Sequence, residues 1–152
     1  MANQISKTFT HIHGIFSAMP LVKTVVLKDT DVFDTEKENI YPIVVIELLP
    51  SPAPDLYFKE LAFGFEVLTQ RDEIKTPLTS KLLSDSNYLD NANICDTIAN
   101  NFILEILKTH NDNNVNVVEG SISEFEPIKK DERNGLDGVK FNCNFSLHQN
   151  NI

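Results

Sequence analysis

The chain has 152 residues, the size of one domain, and a chain of this length buries about 70% of the surface its unfolded form exposes. Lys and Arg total 13 against 22 Asp and Glu, a formal net charge of −9. That charge repels phosphate and counts against a free-standing nucleic-acid binder or a protein that docks on anionic lipid. Two cysteines, Cys95 and Cys143, are too few for a disulfide scaffold or a four-cysteine metal site.

Residues 4–19 place Ile5, Phe9, Ile12 and Phe16 at spacings of three and four, one apolar stripe of a helix that Pro20 ends. Residues 21–27 are rich in β-branched side chains and read as extended, and 29–39 form an acidic loop without periodicity. Residues 41–49 predict a strand that is apolar on both sides and therefore lies inside a sheet, with Pro42 near its first position. Pro50, Pro52 and Pro54 make the next turn stiff. From 57 to 68, Leu61, Phe63, Phe65 and Val67 alternate with Glu60, Ala62, Gly64 and Glu66, the pattern of an antiparallel strand with one face buried.

A polar stretch at 69–81 is long enough for a contact role. A long helix follows, opened by Ser84, Asp85 or Asp90 and ended at His110. Ile94, Cys95, Ile98, Ala99, Phe102, Ile103, Ile106 and Leu107 form its apolar face. Strands are expected at 115–118, on through Ile122 and Phe125, and at 139–147, where Val139, Phe141, Cys143, Phe145 and Leu147 alternate with polar residues. The charged segment 127–138 between them, with Asn134-Gly135, reads as a hairpin turn.

Helices do not alternate with single strands, which disfavours a parallel doubly wound sheet. The expected fold is a single α+β domain over 1–152: an antiparallel or mixed sheet of four to five strands with two helices packed on one face. The opening residues lack the apolar run of a signal peptide. The longest apolar stretch, around Ile43–Ile46, is far short of the ~18 residues of a membrane helix, so no membrane partner is expected.

No catalytic or metal-binding constellation emerges. His11 and His13 are two apart on a helix and point to different sides. Cys95, His110, Cys143 and His148 are scattered over separate elements, and both cysteines fall on core faces. The carboxylates Asp29, Asp31, Asp34, Asp131 and Glu132 sit in polar loops without the apolar cover that shifts a catalytic pKa. Five glycines supply no phosphate-binding loop, and no Gly-x-Ser-x-Gly elbow occurs. No cofactor and no enzymatic activity are therefore expected, and surfaces become the candidates for function. Tyr57 and Phe58 beside the proline turn, and Arg71 and Asp72 in the 69–81 stretch, are the candidate subunit contacts.

The order of elements, together with Tyr41-Pro42, Val67-Leu68, Ser84-Asp85, Asp96-Thr97-Ile98 and Leu136-Asp137-Gly138, resembles the tail-terminator or neck-ring proteins of tailed bacteriophages, especially crAss-like phages. The sequence departs from them in Val139, where an aromatic is common, and in its longer proline turn. The resemblance implies a tail-terminator-like fold and a structural virion protein in the tail or neck, assembled in the host cytoplasm. It implies a homo-oligomeric ring in the head-to-tail connector that meets portal, connector or tail proteins and makes transient, non-specific contact with passing DNA. Asp29, Asp31, Asp34, Asp131 and Glu132 are then candidate lumen charges, since a negative channel lets DNA slide. An acidic inhibitor or immunity-type protein that binds a basic partner is the alternative.

Overall fold

The computed structural model of the chain describes residues 4–28, 40–71, 88–108, 115–130 and 135–148. Its elements are α1 (Gln4–Ser17), β1 (Thr24–Lys28), β2 (Ile43–Leu49), β3 (Phe58–Gln70), α2 (Tyr88–Lys108), β4 (Val115–Val117), β5 (Glu126–Lys130) and β6 (Leu136–His148). The fold is α+β, as expected: two helices pack on one mixed sheet.

The sheet runs β1-β2-β3-β6-β4, and β5 also pairs with β6. β1 and β2 are parallel, which requires the crossover between Lys28 and Ile43; every other pairing is antiparallel. β3 pairs with β6 over its full length, from Phe58↔His148 to Gln70↔Leu136. β4 faces residues 145–147 of β6 and β5 faces residues 136–140, so these two short strands lie end to end along one edge.

Alternation decides what each face carries. Leu61, Phe63, Phe65 and Val67 share a face with Val139, Phe141, Cys143, Phe145 and Leu147, and with Val44 and Ile46, and all are buried beneath the helices. Ile12 and Phe16 of α1 and Cys95, Ile98, Ala99, Phe102 and Ile106 of α2 fill the layer from above. Phe16 stacks on Phe102 at 4.3 Å between ring centroids, and Phe65 on Phe141 at 4.9 Å. Such contacts add about 0.5–1.5 kcal/mol each beyond the burial of area. On the helix-free face, Ile43, Val45, Leu68 and Leu136 make a second, smaller cluster with Val26, Tyr41 and Ile128 packed against it. This explains why β2 is apolar on both sides.

Five expectations change in detail. α1 ends at Ser17 rather than Met19: Ala18 N donates to Gly14 O, but Met19 N donates to Phe16 O, a tighter turn before Pro20. The buried line of α1 is Gln4, Thr8, Ile12 and Phe16, with Ile5 and Phe9 on its flank. Thr8 is tolerated there because its hydroxyl donates to Gln4 O at 2.8 Å. Leu107 is 48% exposed, so the packed face of α2 is narrower than its apolar pattern.

The segment 127–138 is also not wholly a turn, because β5 and the start of β6 lie within it. Pro127 and Lys129 suit an edge strand, where a missing donor and a solvated charge cost little. The strand at 115–118 does not run on through Ile122 and Phe125. Instead, Ser123 N donates to Asn142 O at 2.9 Å, Asn142 N donates to Ser123 Oγ at 2.7 Å, and Asn144 N donates to Ser121 Oγ at 3.1 Å. Serine hydroxyls stand in for ladder carbonyls across the gap between β4 and β5. Ser84, Asp85, Asn134 and His110 lie outside the described residues; Asp90 falls in the first turn of α2.

Gly138 is the tightest point of the central ladder. A Cβ there would lie 1.9 Å from Val67 O. Gly14 is the opposite case, an exposed helical glycine whose Cβ would meet nothing within 4 Å. Gly138→Ala is therefore expected to cost more than the roughly 1–3 kcal/mol typical of an overpacked site. Gly14→Ala should stabilise by up to about 1 kcal/mol. Denaturant unfolding of the two variants checks both signs.

Candidate functional site

Three surface features and one buried cluster concentrate the chemistry. The first is the turn between β2 and β3. Asp55 Oδ1 accepts from Tyr57 N at 2.7 Å and Phe58 N at 2.6 Å, and Asp55 N donates to Phe58 O at 3.0 Å. These backbone donors, Phe58 foremost and then Tyr57, hold the Asp55 carboxyl below its ordinary pKa. Ser51 Oγ accepts from Ala62 N at 3.1 Å and ties the other end of the turn to β3. Leu56, Tyr57 and Phe58 are then presented outward, 79%, 62% and 44% exposed. Tyr57 and Phe58 are thus exposed aromatics rather than core residues.

The second feature is a trough of about 660 Å³ on the helix-free sheet face. Cross-strand register puts Glu66, Lys140 and Glu126 in one row and Lys28, Glu47, Gly64 and Asn142 in the next. Lys140 Nζ lies 3.6 Å from Glu126. With Glu124 on the rim, four carboxylates face two lysines. The third feature is a groove of about 660 Å³ between the helices, where Thr10, Gly14, Ile15, Ala18 and Met19 face Asn101 and Leu104. His11 lines this groove, while His13 is exposed on another side of α1 and shares a 3.2 Å hydrogen bond with Ser17 Oγ.

The buried cluster lies where α2 begins above the sheet. Asp137 is fully buried, yet its carboxylate accepts from Arg71 Nη2 at 2.6 Å and Nε at 3.0 Å, and from Asn91 Nδ2 at 3.1 Å. Asn91 also donates to Gln70 O at 3.1 Å, and Arg71 N donates to Gly135 O at 2.8 Å. Fork-to-carboxylate pairing satisfies both groups. Arg71, a candidate subunit contact by sequence, is only 14% exposed and is committed to this internal pair. Sequence reading missed the partnership because the residues are far apart along the chain. Its signal was a charged residue at an inward position of a strand that otherwise alternates strictly.

Asp72, Asp29, Asp31, Asp34, Asp131 and Glu132 lie outside the described residues. Among the described residues, no group of three or more His, Cys, Asp or Glu side chains is placed to hold a metal ion, and no helix is long and apolar enough to cross a membrane. Cys95 and Cys143 are buried and unpaired with each other, and burial pushes each thiol up to about 12, the Asp137 carboxylate adding to the shift at Cys95. They pack as small apolar groups. Compared with protein-family models and with curated proteins, the sequence matches none.

Arg71→Met is expected to cost about 3–5 kcal/mol by stranding the buried carboxylate. The double variant Arg71→Met/Asp137→Leu should cost less than the sum of the two single changes, measured as denaturant midpoints. For the thiols, the folded pKa lies above the unfolded value. Their contribution is therefore complete below about pH 9 and is lost as the pH rises toward 12. Stability should fall over that window by up to about 1.4 kcal/mol per pH unit for each thiol. A shallower slope in Cys143→Ala, read from urea midpoints across the window, checks the assignment.

Proposed function

We propose that the chain is a structural subunit of a tailed-bacteriophage virion, assembled as a cyclic ring in the head-to-tail connector or tail through which DNA passes. The observation that carries this reading is the stiff turn that holds Leu56, Tyr57 and Phe58 toward solvent on a chain of net charge −9. Apolar side chains fixed outward are what an assembly contact uses, because their ordering has already been met in the free subunit. The sheet has β1 at one edge and β4 with β5 at the other, and among the described residues neither edge pairs with a further strand. Unlike surfaces on opposite sides suit head-to-tail contacts.

Net negative charge supports the passage of DNA, since an acidic lumen repels the phosphate backbone. Asp29, Asp31, Asp34, Asp131 and Glu132 are the residues assigned to that lumen from the sequence. The partners above and below such a ring are portal, connector or tail proteins.

One observation favours a second reading. The trough sets Glu47, Glu66, Glu124 and Glu126 against only Lys28 and Lys140, a surface suited to a basic partner in the manner of an acidic inhibitor or immunity protein. Light scattering and negative-stain imaging of the purified chain, alone and mixed with the products of neighbouring genes, separate the two. Closed rings are expected. A chain that stays monomeric in every mixture and binds one basic protein one-to-one at low salt gives the place to the second reading.

A further inference from the structure

We infer that neighbouring subunits of the proposed ring are joined by insertion of the Leu56-Tyr57 tip of one copy into the groove between α1 and α2 of the next. The inference rests on the ring reading and names its contact. The tip projects from the β2–β3 corner of the sheet, whereas the groove opens between the helices at positions such as Gly14, Ala18 and Leu104 that the core does not use. Tyr57 is 62% and Leu104 50% exposed, so one copy does not fill its own groove. A contact between two such unlike surfaces is heterologous, and repeated with rotation it closes into a ring.

Shape and charge both favour a second copy as the occupant. At Gly14 the groove has open space where a side chain would stand, and Ala18, one turn further on, is also small. The volume of about 660 Å³ falls among cavities that enclose whole ligands. Two copies that each carry −9 repel one another, so close approach is least opposed through surfaces of low charge. Among the described residues that line the groove, the charged side chains are Glu105 and Lys108, which pair with each other at 3.2 Å and sum to zero. From Pro50 to Phe58 the tip carries the single charge of Asp55, whose carboxylate is engaged by two backbone amides. The sheet-face trough, with its excess of carboxylates, does not meet this condition.

The tip is also rigid before binding, with prolines at 50, 52 and 54 and the Asp55 turn fixing its shape, which lowers the entropy lost on docking. A few side chains bury well under the ~1,200 Å² of a standard interface. Each contact is accordingly weak alone, and assembly depends on concentration and on closure.

The test combines Gly14→Cys and Tyr57→Cys in one chain; the native thiols are buried and do not compete. Under mild oxidation the double variant is expected to give a ladder of disulfide-linked species, a mixture of the two single variants to stop at the dimer, and each single variant alone to remain unlinked. In a separate measurement, Tyr57→Asp and Leu104→Arg should each weaken association by about tenfold or more with an unchanged thermal midpoint. A ladder without closed rings in negative stain keeps the tip contact and removes the ring. Rings without a ladder, insensitive to Tyr57→Asp, overturn the tip contact and keep the ring. A protein that gives no ladder and stays monomeric up to about 1 mM overturns the contact outright.

Discussion

Everything in the domain is referred to the antiparallel ladder between β3 and β6. Both strands have 13 residues and they pair from end to end. Their inward side chains, four phenylalanines among them, form the floor on which Phe16 and Phe102 are laid. The ladder also fixes the polar exception to that floor. Because side chains alternate, a slip of β6 by one residue would turn Asp137 away from Arg71 and Asn91 and present Gly138 in its place. The close approach of Gly138 to Val67 O and the charge pair beside it therefore specify the same register by two independent means, one steric and one electrostatic.

Most of this layer was legible in the sequence. The alternation of Leu61 to Val67 and of Val139 to Leu147 needed no tertiary information, since a period of two has only one packed solution. The 3.6-residue spacing from Ile94 to Ile106 likewise marked a helix that must lie on a sheet. Two kinds of feature were hidden. Edge elements such as β5 carry Pro127, Lys129 and Lys130, whose preferences point to a turn; their pairing comes from the waiting edge of β6 and not from their own propensities. Partnerships such as Arg71 with Asp137 depend on two strands lying side by side, and local pattern cannot rank such pairs. For the candidate surfaces, the proline-rich stretch announced a stiff turn, but only the Asp55 hydrogen bonds reveal which way Leu56 and Tyr57 face.

The two sheet faces divide the chemistry of the chain between them. One is sealed by helices and holds almost every aromatic ring of the core. The other is apolar only near Ile43, Leu68 and Leu136 and grades along the strands into the charged rows around Lys140 and Gly64. Among the described residues, charge is thus concentrated on a broad open face, while the turn between β2 and β3 and the cleft between the helices carry little of it. On a chain with nine excess negative charges, that separation makes surfaces of low charge the less repelled ones when two copies approach.

The position of β6 has a consequence for biosynthesis. It is the last element in the chain order, yet it lies inside the sheet and supplies partners for β3, β4 and β5. A nascent polypeptide that has emerged only as far as α2 holds β3 with its inner edge bare and a row of phenylalanines uncovered, the kind of strand that recruits other chains. A chain that stops before β6 therefore lacks the strand that covers β3 along its whole length, and its exposed edge and uncovered phenylalanines are the features that favour aggregation.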